Sequence, residues 1–327
     1  MTIEELNRQV DEKRGVAGGW PKDITYKAID ETNITKIVIS TTENADKKVL
    51  KKIDPWGFAF LGEVRNIVCN KSLEMKFSLC NSSVEAFAYE SLKRRLSYLA
   101  FANDLTITLE KNGISDPLYT MTELTNRPDD EKVRSDFKPR GDDDDAGRLE
   151  KDFQTYLFGK GLHNDPEIMK DRTNERLALF GPDFIRVGKI KKNDDRKGYR
   201  VEREFPTGAF REKKGNNNRI LPTEYVDLVT MNRNGDLSLI ELKFDDPKLE
   251  VIPQVLNYAL FFHAYRRQLT PLIDEKLGYS TAKCNIVTYL ISNMFHDKFD
   301  KVFPFYAKGP LSLKKVILGY MPELKKS

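Results

Sequence analysis

Two acids, a lysine and an amide–phenol pair stand close together in residues 223–265, TEYVDLVTMNRNGDLSLIELKFDDPKLEVIPQVLNYALFFHAY. The pattern predicts a strand over 224–231, a turn over 232–236, a second strand over 237–244 and then a helix. Asn234-Gly235 in the turn is a strong short-range hairpin signal. Side chains alternate faces along a strand. Leu239, Glu241 and Lys243 therefore share one face of the second strand, and Tyr225, Asp227 and Val229 one face of the first. A hairpin can then bring Asp227 beside Glu241 and Lys243. Two carboxylates suit Mg²⁺ or Mn²⁺, which prefer oxygen ligands and retain several waters. Such an ion lowers the pKa of a bound water and neutralises charge on a phosphate oxygen. Lys243 is the group to orient that water or to stabilise the phosphorus transition state. An isolated Glu-x-Lys strand is more ordinarily a solvated sheet face with a weak ion pair. The aspartate on the preceding strand and the helix that follows shift the balance.

On that helix Gln254 and Tyr258 are one turn apart and share a face. Asp227, then Glu241-Leu242-Lys243, then Gln254-x-x-x-Tyr258 resembles the PD-(D/E)xK nuclease superfamily. Within it the pattern is most similar to the RecB-like branch, which carries a Q-x-x-x-Y helix after the E-x-K strand. The resemblance covers about residues 147–327, and Val226 stands where the family name has proline. It implies a restriction-endonuclease-like α/β sandwich with a central mixed sheet. It also implies a metal-dependent phosphodiesterase with Asp227 and Glu241 as metal ligands and Lys243 as the catalytic lysine. Gln254 and Tyr258 would then lie near the substrate or the metal shell. Members often place a glutamate on the first helix, and by that resemblance Glu150 is the candidate third acid, with Glu175 in reserve.

The remaining elements have to position these groups. Residues 148–158 carry Leu149, Phe153 and Leu157 at helical spacing, with Glu150 beside the apolar stripe. Strands are predicted within 182–192 and over 199–205. Residues 186–219 hold twelve basic against five acidic side chains, a local excess of +7. Such a surface attracts phosphate backbones through counterion release, and its position just before the proposed metal strands favours nucleic-acid contact over a solvated loop. Lys191, Lys192, Arg200, Arg211, Lys213, Lys214 and Arg219 are the candidate contacts. Residues 283–292 read as a buried strand, and 302–306 and 314–318 as edge strands, Pro304 favouring the edge. His263 reads as structural and Phe262 as core.

Residues 1–140 form an α+β domain in this reading, with a role in substrate selection or assembly. A short helix opens it. Strands are expected over 34–40, 58–68, 72–80 and 105–109, a turn at Pro55-Trp56-Gly57, and a helix over 83–101 whose Lys93, Arg94 and Arg95 read as a solvated face. Residues 126–147, with two prolines and dense charge, are the expected linker. The nuclease-like domain then runs over 147–327.

The chain has 327 residues, 39% hydrophobic and 32% charged, with a net charge of +4. That composition suits a charged globular protein and permits nucleic-acid binding without demanding it. Three scattered cysteines give no zinc spacing and are expected as reduced thiols. The charged N-terminus has no apolar h-region, so no signal peptide is expected, and the absence of a long apolar run predicts no membrane span. The expectation is a cytoplasmic, metal-dependent nuclease acting on DNA in preference to RNA. An appended domain on a stand-alone nuclease also suits bacterial defence against phage or plasmids, as a homo-oligomer or with a defence-system partner. The rival is a non-catalytic nucleic-acid-binding or assembly protein that retains the fold.

Overall fold

The structure is a computed structural model that describes residues 2–29, 34–43, 45, 47–67, 73–80, 85–127, 130–134, 202–212, 215–232, 235–277 and 280–317. Helices and mixed sheets alternate through both halves, an α/β arrangement. The N-terminal half begins with helix α1 (Ile3–Glu12), started by a reciprocal Thr2/Glu5 capping box. Its buried Ile3, Leu6 and Val10 fall on one helical stripe. Strands β1 (Ile24–Ile29), β2 (Lys36–Thr41), β3 (Glu74–Leu79), β4 (Ile107–Lys111) and β5 (Ile114–Asp116) form one sheet in that order. Its centre, β2-β3-β4, is parallel and its two edges are antiparallel.

Helix α2 (Ile53–Ile67) takes the place of the strand expected over 58–68 and the turn expected at 55–57. Eleven consecutive or nearly consecutive residues from Ile53 to Val64 are buried, so no polar face reveals the helical period. A short apolar run of this kind cannot be told from a strand by pattern alone. Pro55 lies in the first turn, where its missing N–H leaves no bond unmade. Gly57 is required by close approach, because a Cβ there would stand 2.9 Å from the Phe77 ring. Helix α3 (Ala86–Asn103) ends at Asp104 in the left-handed region, φ 53°. The Lys93-Arg94-Arg95 face is not solvated: Arg94 and Arg95 are both buried, and Lys93 pairs with Asp116 at 2.6 Å.

After α4 (Met121–Thr125), strand β6 (Glu131–Val133) forms inside the stretch expected to be a linker. It pairs with β8 (Ala209–Arg211), which pairs with β9 (Arg219–Leu221). The main C-terminal sheet has the order β13 (Ser312–Ile317), β12 (Ile286–Ser292), β11 (Leu237–Lys243), β10 (Tyr225–Met231), β7 (Glu202–Pro206). Strands β11, β12 and β13 run parallel, and β10 is antiparallel to β11 and β7. Every residue of β12 is buried, as a strand covered on both faces requires.

Helices α5 (Val251–Ala264) and α6 (Arg266–Leu277) connect β11 to β12, and α7 (Phe299–Ala307) connects β12 to β13. Residues 302–306, expected as an edge strand, belong to α7. Phe299, Val302, Phe303 and Tyr306 are its buried stripe, a period too long to register in a five-residue window. One apolar core joins the N-terminal sheet and α2 and α3 to Ile252, Leu256 and Leu260 of α5, Leu290 of β12 and Tyr306 of α7. A second core lies between β10, β11 and the other side of α5 and α6. Helix α5 is thus shared by both halves. Among the described residues no helix is long and apolar enough to cross a membrane.

Candidate active site

The hairpin of β10 and β11 is built as its turn residues dictate. Asn232 closes it twice, its N–H donating to the Asp236 carbonyl at 3.0 Å and its Oδ1 accepting from Asp236 N at 2.9 Å. Gly235 supplies φ 84°. The register pairs Leu228 with Ile240 and Val229 with Leu239. The paired ladder ends at Leu228 and Ile240, and Asp227 and Glu241 are the next residues beyond it, one on each strand. The Asp227 carboxylate also leans across the pair, where Oδ2 accepts a hydrogen bond from Leu242 N at 2.7 Å. A side chain thus satisfies a backbone donor of the buried strand.

Glu241 is 1% exposed. A carboxylate so deeply buried demands compensation. Lys243 Nζ lies 2.7 Å from Glu241 Oε1 and donates to the Leu242 carbonyl at 3.0 Å. Leu237 and Leu239 lie on the same side of β11 and pack against Tyr258 and Phe262 of α5. The period-two placement therefore sets Glu241 and Lys243 over the start of α5.

From α5, Gln254 Nε2 donates to the Tyr258 hydroxyl at 2.7 Å, and that hydroxyl donates to the Tyr225 carbonyl at 2.8 Å. This chain ties the helix to the strand that carries Asp227. Burial pushes the Tyr258 phenol well above its ordinary pKa, and the nearby charges of Glu241, Glu224 and Asp227 push it further. Tyr258 is therefore a fixed, neutral phenol.

Lys243 and Gln254 open onto a cleft of about 560 Å³. Its other walls include Glu224, Lys248 and Glu250 and, from the N-terminal half, Lys51 and Arg95. Sequence reasoning missed those last two. For Lys51 the signal present was the run Lys47-Lys48-Val49-Leu50-Lys51-Lys52, in which two buried apolar residues separate pairs of lysines.

The site therefore gathers Asp227, Glu241, Lys243, Gln254 and Tyr258. Glu150 and Glu175 lie outside the described residues, as do Lys191, Lys192, Arg200, Lys213 and Lys214. Of the other basic candidates, Arg211 is exposed at the end of β8. Arg219 is half-buried, its guanidinium 5.3 Å over the Phe87 ring of α3. His263 is held near pKa 4 by burial, with Arg266 adding to the effect, so it is neutral at pH 7.

Among the described residues no group of three or more histidine, cysteine or acidic side chains is arranged to hold a metal ion. Asp227 and Glu241 supply two hard-oxygen donors. That set fits Mg²⁺, which commonly takes one or two carboxylates and completes its shell with water and phosphate oxygens. No protein-family model and no curated protein matches the chain.

Proposed function

We propose that the chain is a metal-dependent nuclease that hydrolyses phosphodiester bonds, with the restriction-endonuclease-like sandwich formed by its C-terminal half. The observation that carries this reading is the Asp227 carboxylate bonded to Leu242 N, between Glu241 and Lys243 in β11, with Lys243 paired to buried Glu241 at the edge of a cleft. A solvated sheet face would leave Glu241 exposed, and burying it against a lysine costs stability that an apolar pair would not. Asp227 and Glu241 would hold Mg²⁺ or Mn²⁺, and the ion when bound supplies a water of lowered pKa and charge stabilisation on the phosphate.

The chain's own groups divide the rest of the work. Lys243 presents an ammonium at the cleft, positioned by Glu241 and the Leu242 carbonyl, to hydrogen-bond a phosphate oxygen or the attacking water. The Asp227 hydrogen bond to Leu242 N fixes the relative position of the two acidic strands. Gln254 offers its side-chain amide to the cleft, and Tyr258 holds that amide and the backbone of β10 in place. DNA is the favoured substrate, and defence against phage or plasmids is the favoured setting. The test is incubation of the purified protein with plasmid, linear duplex, single-stranded DNA and RNA in Mg²⁺, Mn²⁺ or EDTA, alongside Lys243→Ala. Cleavage that needs the metal and is lost in Lys243→Ala is expected. Cleavage that persists in Lys243→Ala, or no cleavage of any substrate, returns the chain to a non-catalytic binding protein.

A further inference from the structure

The cleft continues into a much larger groove, of about 2500 Å³, that shares Lys51, Asp246, Lys248 and Glu250 with it. The groove runs between the start of α5 and the N-terminal half, past Trp20, Trp56 and His296. Its walls carry five lysines, Lys22, Lys48, Lys51, Lys52 and Lys248, against the four carboxylates of Asp23, Asp246, Glu250 and Asp297. Three of the five lysines come from one turn. The 3₁₀ helix Lys47–Lys51 and the residue after it present Lys48, Lys51 and Lys52 around buried Val49 and Leu50.

That turn is anchored from beneath. The Leu50 carbonyl accepts from Arg95 Nη2 at 2.7 Å. Arg95 is in turn bidentate to Asp54, both contacts at 2.9 Å, and neither side chain is more than 2% exposed. Tyr306 of α7 donates to the same aspartate at 2.8 Å. A buried ion pair held this firmly fixes the backbone from which the lysines project. Lys51, 63% exposed, reaches over the cleft to Glu224 at 2.7 Å. Lys52 and Lys248 are paired with Asp23 and Asp246. Lys248 and Asp246 are both open to solvent, a kind of pair that contributes little, and Lys51 keeps an exposed ammonium although its partner Glu224 is mostly covered, so a phosphate can reach these lysines.

We infer that this lysine turn of the N-terminal half is the phosphate-binding clamp that holds a nucleic-acid strand in the groove leading to Lys243. The inference rests on the nuclease reading for the class of ligand. It assigns the N-terminal half a part in substrate binding through Lys48, Lys51 and Lys52. A rigid basic ridge along a groove is the form taken by surfaces that track a nucleic-acid backbone, and the groove leads to the cleft described above.

The test is fluorescence anisotropy with a labelled single strand and a labelled duplex, in EDTA so that nothing is cut, across a salt series. The proteins are wild type, Lys243→Ala and the triple variant Lys48→Gln, Lys51→Gln, Lys52→Gln. The triple variant should bind at least tenfold more weakly. Its log–log salt slope should be shallower by about 2 on the single strand and up to about 2.7 on the duplex, for three lost phosphate contacts. The form that wild type binds more tightly at equal salt is the one the groove takes. Lys243→Ala should change the slope by no more than the one phosphate contact that Lys243 makes, under about 1. Should the triple variant melt early, Lys48→Gln with Lys248→Gln, both at exposed positions, carries the same comparison with a smaller change. Unchanged affinity and slope in a folded variant overturn the clamp, and so does a wild-type protein that binds neither nucleic acid. The nuclease reading is judged apart from this, by whether wild type cleaves in metal and Lys243→Ala does not.

Discussion

Asp227→Asn and Asp227→Ala should part in stability while agreeing in activity. The Asp227 carboxylate does two things: Oδ2 accepts from Leu242 N at 2.7 Å, and its charge is thereby held against the strand that carries Glu241. Leu242 is fully buried, so an alanine at 227 leaves its N–H without this acceptor inside the sheet. The cost of an unsatisfied buried donor is about 1–3 kcal/mol. Asparagine keeps an acceptor oxygen at the same reach and removes only the charge. Its penalty should be under about 1 kcal/mol, and relief of repulsion with Glu241 works in the opposite direction. Both variants lose one of two carboxylate donors to the metal. Cleavage should fall by about 10²–10³-fold in each, equivalent to about 2.7–4 kcal/mol in the barrier.

The assay pairs urea denaturation in EDTA with melting in excess Mn²⁺ and with a cleavage time course. An ion that binds only the folded state at one hundred times its Kd adds about 2.7 kcal/mol. Wild type should gain on that order, and both variants should gain much less. Two results would refute the reasoning. Asparagine cutting at the wild-type rate would remove Asp227 from the chemistry. Asparagine as unstable as alanine would show that the Leu242 hydrogen bond is not what the carboxylate contributes to folding.

Lys243→Ala should destabilise the metal-free protein by on the order of 3 kcal/mol, because it strips a 2.7 Å cationic partner from buried Glu241. Mn²⁺ should restore part of that melting temperature without restoring turnover, and a metal-free melt equal to wild type would count against it. Tyr258→Phe should cost about 1–2 kcal/mol by denaturation, since the hydroxyl both donates to Tyr225 O and accepts from Gln254. Its turnover should fall less than tenfold, and a hundredfold loss at unchanged stability would instead make the phenol a reacting group. The folded pKa of His263, about 4, lies below the ordinary 6.5, so the unfolded chain takes up the proton first as pH falls. Its neutral-state stability should be intact above pH 6.5 and decline by about 3 kcal/mol as pH approaches 4. His263→Gln should flatten that part of a denaturation series between pH 7 and 4, and an unflattened series would place the acid sensitivity elsewhere.

What could be read from the residues was whatever repeats within a few positions. The Asn-Gly turn, the alternation on both flanking strands and the one-turn spacing of Gln254 and Tyr258 are local, so the hairpin and helix that carry the candidate site were legible. Legibility failed where burial erased the pattern. In α2, polar and apolar faces do not alternate because almost every residue is inside. Arg94 and Arg95 resemble surface charge on any hydropathy reading, yet their compensation comes from distant chain. Arg95 finds Asp54, and Arg94 reaches the Leu124 and Leu260 carbonyls at 3.5 and 3.4 Å. Glu131, set in a stretch dense with charge, is likewise buried by Arg127 and by the Tyr265 hydroxyl, and β6 forms where a linker was expected.

The same distinction explains why the part played by the N-terminal half was invisible in the chain. Helix α5 has two working sides. Gln254 and Tyr258 are bonded to each other and to the strand of Asp227, and their motif is visible because both members lie on one helix. Asn257, between them in sequence, lines the cleft beside Gln254 and bonds to the N-terminal half: its Oδ1 accepts from Ser91 at 3.0 Å and from Arg95 at 3.3 Å. Those partners are some 160 residues away, so no spacing in the sequence announces the contact. Yet it is this contact that brings the Arg95–Asp54 pair, and with it the lysine turn, to the wall opposite Lys243. A helix that carries the candidate site on one side and the second half of the molecule on the other couples the two. A shift of α5 by a fraction of an ångström must be felt by both Gln254 and the lysine ridge, because close-packed interiors transmit displacement and do not absorb it.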